Sequence, residues 1–176
     1  MNRRPRKPQS LQIAFWNGNG LTTKKTEMEE FVQRHQLDSV LIGETHLRAS
    51  NGFSLRYFRV HRTDREGARG GGTPVLIKST IDHHAELALD LHNIEATAIT
   101  VNLATSPIKL VAAYKAPNRQ FLEDDLSEIF NTRRPQRQTP IVELEADERK
   151  RHLSTPFCRR LPPPGGRYRR AHDIPA

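Results

Sequence analysis

Residues 11–43 read as a strand, a helix and a second strand, and that order restricts the fold more than any other feature of the chain. Leu11 to Trp16 is a short apolar-rich run that stops at the turn Asn17-Gly18-Asn19-Gly20. Thr22 to Gln36 has helical spacing. Met28, Phe31 and Val32 share one face, and Glu27, Glu29 and Glu30 fall in the early turns, where the helix dipole favours acids. Ser39 to Gly43 is a second apolar run. Two strands joined by a helix pack with the strands parallel and the crossover right-handed. Both runs then end at the same sheet edge, with Asn17 closing one and Glu44 following the other. Strand ends that converge on one edge are a natural place for a site in α/β folds.

The rest of the chain continues in short strands as far as residue 130. Arg56 to His61 alternates loosely, and Val75 to Ile77 is a short strand with Pro74 at its beginning or at an edge. Gly70-Gly71-Gly72 between them reads as a turn, since no Gly-Lys-Ser/Thr follows to make a phosphate loop. Ile94 to Leu103 and Ile108 to Tyr114 are two longer strands split by Thr105-Ser106-Pro107, a connector short enough for a hairpin. Arg119 to Phe130 is expected to be helical, with Phe121, Leu122, Leu126, Ile129 and Phe130 as its apolar face. His83-His84 and His92 lack metal-ligand spacing with a carboxylate and are expected at the surface.

Charge divides the chain differently. The formal net charge of the 176 residues is +8. Residues 1–10 hold four basic groups and no acid, residues 11–130 hold 13 basic and 15 acidic groups, and residues 131–176 hold 11 basic and 5 acidic. The positive excess therefore sits outside the part with strand and helix patterning. A basic excess suggests a polyanion as partner. The run Arg3-Arg4-Pro5-Arg6-Lys7 could bind phosphates, act as a nuclear address, or be a solvated disordered arm. Seven of the twelve prolines lie in 131–176, which is expected to be mostly disordered, with one charged helix over 141–153. The expected organisation is thus a basic arm over 1–10, a partial domain over 11–130 and a Pro/Arg-rich tail over 131–176.

Cys158 is the single cysteine, so no intramolecular disulfide or cysteine-rich zinc site can form. No apolar run approaches the roughly 20 residues of a membrane span. An intracellular setting, nuclear or cytoplasmic, is expected.

The chemistry to be sought lies at the converging strand ends. Glu44 offers hard oxygen ligands to Mg²⁺, which takes one or two carboxylates and keeps waters for substrate phosphate to replace. Asn17 could orient that carboxylate or meet a phosphate oxygen, and Tyr114, which finishes a strand, could donate a hydrogen bond to the phosphate. On spacing alone, a glutamate at a strand end is more often just solvated.

Five short motifs occur in order: Trp16-Asn17-x-Asn19-Gly20, Gly43-Glu44-Thr45-His46-Leu47, Arg62-Thr63-Asp64-Arg65, Gly71-Gly72-Thr73 and Ala113-Tyr114-x-Ala116-Pro117-Asn118. Together, over about residues 11–130, they resemble the endonuclease domain of jockey-like non-long-terminal-repeat retrotransposons, a branch of the endonuclease/exonuclease/phosphatase superfamily. The resemblance implies an α/β fold, an incomplete two-sheet sandwich of the deoxyribonuclease I type, and Mg²⁺-dependent nicking of DNA. It also implies a reverse transcriptase elsewhere in the intact family protein. By motif position Glu44 would bind the metal with Asn17 beside it, Asn19 would take the second polar position, Tyr114 would contact the scissile phosphate and Asn118 would line the same cleft. Arg65 and Arg69 are candidate DNA-backbone contacts, although a structural salt bridge suits them as well.

The chain departs from the family in two places. The Gly-Asp-Phe-Asn and Ser-Asp-His elements, which supply the family's acid–base aspartate and histidine, do not occur, and His172-Asp173 sits in a Pro-flanked stretch with no strand pattern. Nicking is therefore expected to fail, and the second sheet is expected to be largely missing, with an apolar face left open. The alternatives are a non-enzymatic nucleic-acid-binding remnant working through the basic ends, and another phosphoesterase of the superfamily. The resemblance stops abruptly after Phe130, which leads to the expectation that the coding strand near codons 131–150 carries the rest of the domain in another frame.

Overall fold

The computed structural model describes residues 5–65 and 71–130, together with the backbone strands 141–143 and 157–161. Elements follow in the order β1 (Leu11–Asn17), α1 (Lys25–Arg34), β2 (Ser39–Gly43), β3 (Phe58–His61), β4 (Val75–Lys78), β5 (His83–Ala85), β6 (Ile94–Asn102), β7 (Pro107–Lys115), α2 (Glu123–Phe130), β8 (Ile141–Glu143) and β9 (Phe157–Leu161). Two sheets form, one ordered β3-β4-β2-β1-β9 and the other β5-β6-β7-β8.

The crossover is as the pattern required. β1 and β2 pair in parallel with Asn17 opposite Gly43. All five residues of β2 are buried, as befits a strand covered on both faces. The two-residue period of β1 sorts its side chains. Leu11, Ile13 and Phe15 face the second sheet with Leu41, Ile77, Ile99 and Leu110. Ala14 and Trp16 face α1 with Met28, Val32, Val40 and Ile42. On the far side Ala96, Ala98 and Val111 of the second sheet pack against Ile129 and Leu126 of α2. The layers therefore run helix, sheet, sheet, helix.

The second sheet is more complete than the sequence led one to expect. β6 and β7 pair over nine residues each, from Ile94↔Lys115 to Asn102↔Pro107, and β5 and β8 flank them. Its inner face is closed by the first sheet, so the open apolar face is not observed there. The expected helix over 141–153 is also corrected at its start. Ile141–Glu143 is a strand parallel to β7, because the edge of a nine-residue strand offers backbone partners that three isolated residues lack. β9 pairs antiparallel with β1 in a stretch whose composition showed no strand pattern.

α2 starts at Glu123, later than the apolar spacing suggested. Only Leu126 and Ile129 pack inward, while Phe121, Leu122 and Phe130 are exposed. The helix is held by polar contacts instead. Buried Asp125 accepts hydrogen bonds from the backbone N–H of His92 at 2.7 Å and of Asn93 at 2.9 Å. Lys109 Nζ donates to the Ile129 carbonyl at 3.3 Å, at the end of the helix where a cation is favoured. Burial alone raises the Asp125 carboxyl, but the two N–H donors and the His92 ring outweigh it, and the group sits below its ordinary value.

His84 is exposed, as expected, but His83 is half-buried and meets His61 of β3. Burial, followed by the neighbouring His83 and Arg59, holds the His61 imidazole below its ordinary value. Among the described residues no helix is long and apolar enough to cross a membrane.

Candidate active site

Past Asn17 and Gly43 the two parallel segments stay together. Gly18 N–H donates to the Gly43 carbonyl at 2.7 Å, Gly20 N–H to Glu44 at 2.9 Å and Leu21 N–H to Thr45 at 2.9 Å. This ladder extends the β1–β2 pairing into the loops and carries Glu44 alongside the Asn17-Gly18-Asn19-Gly20 turn. A Cβ on Gly18 would lie 3.3 Å from the Gly43 carbonyl oxygen, a tight contact that glycine avoids.

The backbone here is strained. Glu44 has φ +54°, His46 +57° and Asn19 +38°, all in the left-handed region that non-glycine residues rarely occupy. Such outliers persist only where surrounding contacts hold them, and they collect at sites of function. Here Thr45, buried between the two outliers, supplies the hold. Its hydroxyl donates to the Gly71 carbonyl at 3.4 Å and accepts from Leu47 N–H at 3.4 Å, and His46 N–H donates to Gly71 at 3.1 Å. Gly72, at φ +84°, lies so close to Thr45 Oγ1 that a Cβ would collide with it.

The Glu44 side chain has no hydrogen-bond or ion-pair partner among the described residues. Asn17 Oδ1 accepts from Asn19 N–H at 3.1 Å, which leaves one lone pair. The donors present, one carboxylate and one amide oxygen, are of the hard oxygen type that Mg²⁺ accepts. Among the described residues no cluster of three His, Cys, Asp or Glu forms a metal cage.

Tyr114 reaches the same edge from the second sheet. Its ring lies next to Gly43, 4.0 Å from where a Cβ on that residue would stand. Glu95 is its direct partner across β6 and β7. Glu95 pairs with the Arg65 guanidinium and also accepts from Gly72 N–H at 2.8 Å. The Arg65 guanidinium lies 5.6 Å from the Tyr114 ring centroid, a cation–π distance. Glu95, Arg65 and Tyr114 thus form a brace that ties the tyrosine ring to the glycine turn.

Of the residues named from sequence, Asn17, Glu44 and Tyr114 converge, with Asn19 in the turn between the first two. Asn118 is exposed in the turn after β7, closed by Arg119 N–H to the Ala116 carbonyl at 3.0 Å. Arg65 makes the ion pair that was one of its two expected roles. Arg69 lies outside the described residues. Arg62 of the same motif is structural, with Nε 3.2 Å from Asp64 and Nη2 donating at 3.4 Å to the Arg48 and Ala49 carbonyls. Glu95 and Thr45 were missed as site residues. The available signal for Glu95 was an acid directly opposite the tyrosine, the only acidic residue in the two strands of the hairpin.

No family model matches the chain. Similarity to known proteins is nevertheless specific. A probable RNA-directed DNA polymerase from transposon X-element of Drosophila melanogaster is 30% identical over 122 residues, covering 68% of this chain. The RNA-directed DNA polymerase from mobile element jockey of the same organism is 27% identical over 122 residues, covering 69%. Among solved structures, the endonuclease domain of TRAS1, a telomere-specific non-LTR retrotransposon, superposes with a TM-score of 0.54 at 17% identity, over 68% of this chain and 52% of that one. Over about two thirds of its own length the chain is thus homologous to jockey-like and X-element retrotransposon polymerases. It spans 13% of the length of each of those two polymerases. The fold is mixed α/β with two sheets, similar to that of the TRAS1 endonuclease domain.

Proposed function

We propose that this chain carries the metal- and phosphate-facing half of a DNA-nicking site and does not complete the cut by itself. The observation that carries this reading is the Glu44 carboxylate, held on strained backbone beside Asn17 with no protein partner among the described residues. Glu44 and Asn17 would hold Mg²⁺, which when bound supplies Lewis-acid polarisation of a phosphodiester. Tyr114 would donate to a non-bridging phosphate oxygen, its ring oriented by Arg65 and Glu95. Asn19 and Asn118 would meet the DNA backbone from the two flanking turns. Hydrolysis also needs a group to accept the attacking water's proton and one to protonate the leaving oxygen. The two family elements that supply those groups are absent from the sequence. In the intact family protein a reverse transcriptase would act on the nicked end.

Incubation of the purified chain with supercoiled plasmid and Mg²⁺ tests this. No nicking above a Glu44→Ala control is expected. Nicking by the parent but not by the control would overturn the inactivity and keep the site. The charge distribution favours a second reading, in which the basic ends bind nucleic acid without any catalytic part. Under that reading, removing 1–10 and 131–176 abolishes binding, whereas Glu44→Ala leaves it unchanged with or without Mg²⁺.

A further inference from the structure

A second constellation stands where an edge of one sheet meets an edge of the other. His61 ends β3 and His83 begins β5, and their Nε2 atoms are 3.1 Å apart, with the rings edge-on at 84°. His83 Nδ1 lies 2.7 Å from the Ile81 carbonyl oxygen and donates to it. That bond fixes the tautomer. The His83 proton is on Nδ1, and its Nε2 lone pair points at His61.

We propose that His61 and His83 form a two-histidine site for a borderline divalent transition metal, Zn²⁺ or Cu²⁺, that clasps the two sheets. Three features carry it. Two imidazole nitrogens each bonded to Zn²⁺ at near-tetrahedral angle would stand about 3.3 Å apart, so the observed spacing needs little change to admit the ion. The hydrogen bond from His83 Nδ1 to a backbone carbonyl is the arrangement that orients metal-ligating histidines. Both rings are half-buried, so water can reach them and fill the remaining coordination positions. Without metal, His61 Nε2–H donates to His83 Nε2. To ligate, His61 carries its proton on Nδ1 instead, a tautomer exchange through solvent with no net release of protons. Imidazole nitrogen selects for Cu²⁺ and Zn²⁺ over Mg²⁺, so this site is distinct in chemistry from the Glu44 edge.

The test uses the full chain with Cu²⁺ as a spectroscopic probe and Zn²⁺ as a redox-inert one. The electron paramagnetic resonance spectrum of one equivalent of Cu²⁺ should show coupling to two imidazole nitrogens. His61→Gln and His83→Gln should each lose one nitrogen and weaken binding at least about tenfold. His84→Gln, next in sequence and exposed, should match the parent. As a measurement needing no variant, stoichiometric Zn²⁺ should protect His61 and His83, and not His84, from diethylpyrocarbonate as mapped by mass spectrometry. Unchanged Cu²⁺ spectra in both variants, or Zn²⁺ protection that spares neither ring, would overturn the proposal.

Discussion

Strand β2 is preceded by one carboxylate and followed by another, and the two have opposite fates. Asp38, just before the strand, is satisfied. It accepts from Gln12 N–H at 3.0 Å and from Lys78 Nζ at 3.0 Å, and Arg6 lies 3.5 Å away. Its side chain is 15% exposed and its backbone is ordinary. Glu44, just after the strand, has a left-handed backbone and no partner among the described residues. One acid joins elements together. The other is held out by its neighbours at a conformational cost, which is how a protein presents a ligand rather than a brace.

The contrast can be broken most severely at the glycine turn. Gly72→Ala should destabilise by about 2–4 kcal/mol, from a disfavoured backbone and a collision with Thr45, as read by the urea midpoint. A value near zero would show that the glycine turn does not hold Thr45 and its strained flanks in place. Next in size, Asp38→Ala should cost about 1–3 kcal/mol by leaving the Gln12 N–H and Lys78 without their acceptor. Glu44→Gly should cost nothing or raise stability by up to about 1 kcal/mol, because glycine takes φ +54° without strain. Equal losses at the two positions would erase the distinction.

A third carboxylate sharpens the comparison through pH. The folded-state value of Asp125 lies below its unfolded one, so its stabilisation is full above the unfolded value near about 4 and disappears as the pH falls through the lower folded value. Asp125→Asn should flatten that acid limb in a denaturation series. The smallest effect expected is at the brace. Arg65→Lys keeps the charge near Glu95 but loses the planar face over Tyr114, a change of about 0.5–1 kcal/mol.

The first crossover, the long hairpin and the convergence of Asn17, Glu44 and Tyr114 were legible because each rests on local periodicity and on strands that end together. What stayed hidden depends on partners far away in sequence. β5 is three residues with no alternation of its own and exists because β6 offers an edge. Glu95 declares its role only once Arg65 and Gly72 are folded against it. His83 looked like surface because nothing near it in the chain announces His61. α2 was misjudged at its start because Phe121 and Leu122 supply helical spacing, while Asp125, the residue that docks it, is charged and lies outside any apolar pattern.

The pairing of β9 with β1 joins Leu161 to Leu11 and Phe157 to Phe15, residues far apart in sequence. On a ribosome, the strand made first has its outer backbone edge open until the last of the paired strands emerges. Meanwhile β1 is an apolar segment with unmet N–H and C=O groups, the kind of edge to which another nascent chain or a chaperone can add. Closing so long a loop is also slow compared with forming the β6–β7 hairpin. The order of assembly then follows from topology: hairpin and crossover early, and the seal on the first sheet only once β9 has emerged.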